Sequence, residues 1–262
     1  MVSNIPHGWV LTADEHRYFS LFENSSDLVI LKSDNFHEQK GLDFHVRTTL
    51  HEHLYSYIES SAVRVGEDVV EINNGRIVLN KVEYKDEDLP IQFGDVKNIY
   101  EIYLAKVEYK GNGEIRRRWY RLKLDDNTEI EFKFYSRFMT FEILGHDDFS
   151  DASGMLGAYP YGTMLSRSGE EMKSFYDFGF EWQVGPSDST LFSELREPQL
   201  PYERCRVPPP QMTGQARRRL RANDGQLLED AKQACAMKTG GDFKLCVDDV
   251  MMTGDVEMAK EW

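Results

Sequence analysis

No run in the chain approaches 18 consecutive apolar residues, which excludes a membrane-spanning helix. Cysteine is scarce: the 262 residues hold three, at positions 205, 235 and 246. That excludes a small scaffold held together by disulfides. Nor is there a Cys-x-x-Cys pair, so a cysteine zinc site has no support. Because the count is odd, at least one thiol is free or pairs with another chain. Basic residues are outnumbered as well. Asp and Glu number 45 against 31 Lys and Arg, for a formal net charge of −14. A field of that sign repels phosphate backbones and argues against nucleic-acid binding. The first residues, Met1-Val2-Ser3-Asn4-Ile5-Pro6, lack the basic stretch and apolar run of a secretory signal. The expectation is either an intracellular protein or a mature or excised region whose signal lay upstream.

Hydrophobic residues make up 40% of the chain, aromatics 12% and charged residues 29%, values that fit a globular protein with a sizeable core. Residues 27–145 read mostly as strands. Asp27-Leu-Val-Ile-Leu-Lys32 is a short apolar run, Leu42 to Thr49 is a second, and Tyr55 to Ile72 holds two β-rich runs split at Gly66. A meander follows: Ile99 to Lys110, the Gly111-Asn112-Gly113 turn, Glu114 to Leu124, the Asp125-Asp126-Asn127 turn, and Thr128 to Tyr135. Ile130, Phe132 and Phe134 alternate with Glu129, Glu131 and Lys133, which predicts an apolar face on a core and a charged face toward water. Residues 145–170 are glycine-rich and read as a closely packed loop region. Residues 197–222 turn to proline and then to Arg217-Arg218-Arg219 and Arg221, and read as a linker.

Beyond residue 222 the period becomes helical. Leu227, Leu228, Ala231 and Cys235 share one face, with Asp224 as an N-cap and Gly240-Gly241 as the stop. Phe243, Cys246, Val247 and Val250 share a second face, with Asp242 as its cap, and a short third helix ends at Trp262. The predicted organisation is a β-domain over 1–196, a linker over 197–222 and a helical tail over 223–262. The fold class is mainly β: an antiparallel, sandwich-like domain with a small C-terminal helical segment. If the chain is secreted, Cys235 and Cys246 are expected to form a disulfide, because both lie on apolar faces of consecutive helices. The bond would stabilise by about 2–3 kcal/mol in the chain-entropy model.

Several constellations suggest chemistry. His51-Glu52-His53 places two histidines on one strand face with His45 nearby, but a zinc-protease helix would need a histidine where Tyr55 stands. Asp125-Asp126, Asp147-Asp148 and Asp151 are oxygen-rich loops without EF-hand spacing, and turn formation explains them as well. No Gly-x-Ser-x-Gly elbow and no phosphate-binding glycine motif occurs. Arg116-Arg117-Arg118 beside Trp119 and Tyr120 reads as an edge strand kept soluble by charge. Asn24-Ser25-Ser26 is a glycosylation sequon, competent only in the secretory pathway.

The order of several segments resembles the von Willebrand factor type D domain, in the cysteine-poor form of single-celled eukaryotes. Pro6-His7 sits where that domain begins, and Asp27 to Lys32 is similar to its first core strand. Gly41 to Thr48, Tyr55 to Ile58 and Ala62 to Val69 match its middle. Ser153-Gly-Met-Leu-Gly157 looks like its glycine turn without the cysteine, and Phe178 to Val184 like its closing strand. Asp230 to Cys235, Phe243 to Val250 and Thr253-Gly-Asp255 resemble the helical segment that follows. There are departures. Ile5-Pro6 replaces the family's cleavable Asp-Pro bond, and residues 158–165 offer no carboxylate for its calcium loop. The family cysteine that would pair with Cys205 falls near Ser26, which leaves Cys205 a free thiol.

The resemblance implies a non-enzymatic extracellular or cell-surface glycoprotein domain. It would serve adhesion and assembly through protein or glycan partners and self-association, with no cofactor, catalytic residue, metal, nucleic acid or membrane insertion. Two other readings stay open. One is a metal-dependent binding module or hydrolase using His45, His51, His53 and the 147–151 carboxylates. The other is an intracellular ligand-binding β-domain.

Overall fold

The structure, a computed structural model, describes residues 2–5, 8–12, 27–51, 55–92, 98–135, 138–145, 149, 151–157, 163–173, 175–185, 188–194, 225–253, 256–260 and 262. The strands are β1 (Val2–Ile5), β2 (Gly8–Thr12), β3 (Asp27–Ser33), β4 (Leu42–His51), β5 (Tyr55–Val65), β6 (Asp68–Asn73), β7 (Arg76–Leu79), β8 (Val82–Tyr84), β9 (Ile91–Gln92), β10 (Glu101–Tyr109), β11 (Ile115–Lys123), β12 (Glu129–Phe134) and β13 (Met139–Gly145). The helices are α1 (Phe36–Gln39), α2 (Phe175–Glu181), α3 (225–234) and α4 (Gly240–Thr253), with a 3-10 turn at Val256–Lys260.

The strands form two antiparallel sheets. One has six strands in chain order, β3 to β8; the other has seven, ordered β1-β2-β13-β12-β11-β10-β9. The protein is therefore mainly β. Hairpins build the six-stranded sheet, and at Asn80-Lys81 both residues adopt positive φ, the conformation whose twist suits adjacent antiparallel strands. The inward faces of the two sheets meet. Phe44 on β4 packs edge-on against Phe132 on β12 and Phe141 on β13, with ring centroids 6.0 and 4.7 Å apart. Ile30, Val63, Val65, Val70 and Ile72 from one sheet share this core with Ile102, Tyr120, Leu122, Ile130 and Ile143 from the other. The alternation predicted for β12 holds on its apolar side, since Ile130, Phe132 and Phe134 are all buried.

Strand β3 is an edge strand, and loops cover it. Lys32 and Ser153 exchange both backbone hydrogen bonds, and Leu156 N–H donates to Ile30 O. Gly154 fits here because it has φ +107° and its position passes close to β3; a Cβ would lie 2.7 Å from Ile30 O. Gly154→Ala combines backbone strain with a clash against an immobile carbonyl, so it should cost at least about 2 kcal/mol. A urea-unfolding midpoint equal to that of the parent protein would contradict this.

Two sequence expectations need correction. Phe178 to Val184 is not a closing strand. Residues Phe175–Glu181 are helical, and only the stretch after them pairs with β3, where Val29 N–H donates to Trp182 O and Val184 N–H to Asp27 O. Phe178 on the helix and Trp182 just after it enter the same core, four positions apart, a spacing that an alternating strand would share. The Arg116-Arg117-Arg118 strand is not an edge: β11 lies between β10 and β12. Arg116 is exposed, Arg117 is buried, and Arg118 pairs with Asp86.

The tail helices pack on the far end of the seven-stranded sheet. Tyr135 and Phe138, in the β12–β13 connection, join Ala231, Cys235, Cys246, Val250, Met258 and Trp262 in a second core. Cys235 and Cys246 form a disulfide with a Cα–Cα distance of 6.0 Å. Gly240 opens α4 instead of only stopping the helix before it, and Asp242 lies within the first turn of α4. The predicted linker, Cys205, Asn24 and Asp224 lie outside the described residues.

Candidate functional site

Strand β4 reads Leu42-Asp43-Phe44-His45-Val46-Arg47. Its period of two sends Leu42, Phe44 and Val46 into the core and Asp43, His45 and Arg47 to the outer face of the six-stranded sheet. These outer side chains are nonetheless buried. Residues Leu191 to Glu194 lie over part of this face, where Leu191 and Phe192 pack on Ala62 and Phe192 lies under Arg47.

Charge pairs hold this face together. Arg47 donates two parallel bonds to its cross-strand neighbour Asp27, from Nε to Oδ1 at 2.7 Å and from Nη2 to Oδ2 at 2.8 Å. Its Nη2 also donates to Glu194 O at 3.0 Å, and its guanidinium lies 4.1 Å over the Phe192 ring. Asp43 Oδ2 accepts from its cross-strand neighbour Arg64 at 2.7 Å. Glu71 Oε2 accepts from both the N–H and the hydroxyl of Ser193, at 2.9 and 2.7 Å, while Oε1 accepts from Asn73 at 2.9 Å. These bonds clamp the covering segment to the sheet. Opposite charges directly across strands are among the pairs that stabilise a sheet.

His45 sits in the middle of the face. Its Nε2 lies 2.9 Å from Asp43 Oδ1, within ion-pair range but off the direction a hydrogen bond requires. Nδ1 finds no hydrogen-bond partner among the described residues. Burial pushes the Asp43 carboxyl up, but His45 and the charges of Arg64 and Lys32 outweigh it and hold the group below its ordinary value of 3.8. Glu71 behaves alike: burial raises it, and the bonds from Ser193 and Asn73 together with Arg76 bring it below 4.5.

Both groups bind protons more readily in the unfolded chain. Their stabilisation is therefore complete above the unfolded values and is lost as pH falls through the lower, folded ones. The urea midpoint should fall on acidification below about pH 4.5, and Glu71→Gln should flatten that dependence. If the two proteins show parallel pH profiles, Glu71 does not clamp the covering segment.

The other candidates fall into structural roles. Asp125 Oδ1 accepts from the N–H groups of Asn127 and Thr128, both at 2.7 Å, which closes the β11–β12 turn. Asp151 accepts from Ser33 Oγ at 2.6 Å and from the N–H groups of Asp34 and Asn35 at 2.8 and 2.9 Å, tying its loop to β3. Arg118 pairs with Asp86 at 2.7 Å, and the Tyr120 hydroxyl donates to the same carboxylate at 2.5 Å. Burial and the adjacent Asp86 charge push that phenol far above its ordinary value. Trp119 carries Lys106 over its ring at 4.4 Å. Among the described residues, no three His, Cys, Asp or Glu side chains converge on a metal position. The side chain of His51, and His53, Asp147, Asp148 and residues 158–162, lie outside the described residues.

Sequence reasoning singled out His45 but missed Asp43, Arg47 and Glu71. Three polar residues alternating with core positions look like a solvated face. Arg47 and Glu71 meet a covering segment more than 100 residues further along the chain. The chain matches no protein-family model and no curated protein sequence.

Proposed function

We propose that the protein is a non-enzymatic, extracellular binding module for adhesion and assembly, whose partners are proteins or glycans. The observation that carries this reading is the buried Cys235–Cys246 disulfide, which ties α3 to α4. Such bonds persist in oxidising compartments and are kept reduced in the cytosol. The similarity in segment order to the von Willebrand factor type D domain agrees with it. So does the use made of the polar residues on the outer face of β4, β5 and β6. Arg47, Asp43, Arg64 and Glu71 spend their hydrogen bonds on neighbouring residues of the same sheet and, for Arg47 and Glu71, on the 191–194 segment.

Thiol trapping in intact source cells tests the compartment: Cys235 and Cys246 should resist alkylation while Cys205 reacts. Immobilised protein should also retain purified matrix proteins or glycans from an array. Alkylation of Cys235 and Cys246 before lysis would overturn the extracellular reading. Absence of binding to either partner class would overturn the adhesive one.

A further inference from the structure

The sequence holds two Asn-Gly steps, Asn74-Gly75 between β6 and β7 and Asn112-Gly113 between β10 and β11. Glycine has no Cβ, so its amide nitrogen can approach the side-chain Cγ of the asparagine before it and close a five-membered ring. Whether it does so depends on what else holds the two groups. At Asn74-Gly75 both are engaged by β11. Asn74 Oδ1 accepts from Arg118 Nη1 at 2.7 Å, and Gly75 N–H donates to the Tyr120 hydroxyl at 3.0 Å. Arg118 is fixed in turn by Asp86 at 2.7 Å, and its guanidinium lies 3.2 Å from where a Cβ on Gly75 would stand. Turning the Asn74 amide onto Gly75 would break a bond to a fixed guanidinium.

Asn112-Gly113 is open by comparison. Gly111 to Glu114 are all exposed, and no atom of another residue comes within 4 Å of a Cβ built on Gly113. Gly113 takes φ +85° and donates to Lys110 O at 2.9 Å, while Lys110 N–H donates to Glu114 O at 2.7 Å. These bonds close the loop at an exposed tip, where local opening costs least. Asn112 Oδ1 accepts from Glu114 N–H at 3.1 Å. That bond folds the side chain back along its own backbone, which brings Cγ beside Gly113 N. It also polarises the carbonyl that must take up charge when Cγ is attacked.

We infer that Asn112 is a site of spontaneous covalent modification, converting to aspartate and isoaspartate, and that Arg118 protects Asn74 from the same reaction. Gly113 N loses its proton and attacks Asn112 Cγ. The bond from Cγ to the side-chain nitrogen breaks, and that nitrogen leaves as ammonia with the proton gained in exchange. Water then opens the cyclic imide at either carbonyl. One opening leaves aspartate; the other leaves isoaspartate, with the chain running through the former side chain. No electrons are transferred, and water is the co-reactant. Either product adds one negative charge to a chain that carries −14. Bonds from Asn112 and Lys110 hold the Glu114 carboxyl below its ordinary value of 4.5, so a carboxylate at 112 repels a group that Asn112 now supports. The modification therefore loosens the β10–β11 tip. The site is independent of the proposed adhesive role.

The test keeps the full chain, disulfide intact, for several weeks at neutral pH and body temperature. Samples are digested at mildly acidic pH. Mass spectrometry follows the peptides bearing Asn74 and Asn112 for the one-dalton gain, and chromatography separates aspartate from isoaspartate. A parallel sample in concentrated urea, where neither turn exists, gives the rate of each step without the fold. In the folded protein Asn112 should convert within about tenfold of its rate in urea, and Asn74 more than about tenfold slower than its own. Arg118→Gln should raise the Asn74 rate several-fold and leave that of Asn112 unchanged. Three results would each overturn the inference: no conversion of Asn112 in the folded chain, folded-state rates in the same ratio as in urea, or an unchanged Asn74 rate in folded Arg118→Gln. Where Arg118→Gln does not fold, the comparison with urea still decides.

Discussion

Phe44→Ala should be the most damaging single truncation in the β-domain, costing about 3–5 kcal/mol. Phe44 is fully buried on β4 and touches rings from two strands of the opposite sheet, Phe132 and Phe141. Its removal forfeits the transfer energy of the ring and leaves a cavity between two sheets. Hydrogen-bonded strands restrain both sides, so neither sheet collapses easily into the space. The two edge-to-face contacts add about 0.5–1.5 kcal/mol each beyond the area buried. Phe44→Leu, which fills most of the volume, should cost less than half as much. Urea denaturation followed by tryptophan fluorescence measures both. Equal midpoints for Phe44→Ala and the parent would mean that the sheets are not held together at this point.

Trp262→Ala should cost a similar amount, about 3–5 kcal/mol, and lower the melting temperature by on the order of 10 °C. Trp262 is fully buried, donates from Nε1 to Asp249 Oδ2 at 2.8 Å, and packs on Tyr135 and Phe138 at 4.9 and 5.2 Å. It thus bridges the last helical turn, α4 and the sheet. A piece of about 40 residues is near the lower limit for an independent core, so the tail gains its stability by docking. Docking makes the whole chain one cooperative unit. Removing residues 223–262 should accordingly lower the melting temperature of what remains, because Tyr135 and Phe138 lose their cover. Two separate transitions in the parent protein, with only one moved by Trp262→Ala, would show that the tail folds apart from the sheets.

Some of this architecture was legible from residues alone. The meander from β10 to β12 was marked by glycine and asparagine at its turns and by strict alternation in Ile130, Phe132 and Phe134. Helical spacing of Leu227, Ala231 and Cys235, and of Phe243, Val247 and Val250, marked two tail helices. It placed both cysteines on faces that turn inward. These are local signals, because a period of two or of 3.6 is set within one element.

Tertiary structure decided the rest, where the outcome depends on what comes to lie against an element. Strand β11 reads as a charged edge, yet β12 pairs with it in register from Arg118 to Lys123, so its arginines take unlike roles. Arg118 pins Asp86, while Arg117 is enclosed beneath the tail. Asp43, His45 and Arg47 alternate as a solvated face would, yet all three are buried, and residues 191–194 lie over Arg47 and are clamped by Glu71. Burial of a charge is a property of the completed fold, and the segment over Arg47 is more than 100 residues away in sequence. A local pattern can say which face a side chain occupies; only long-range packing decides whether that face meets water or protein.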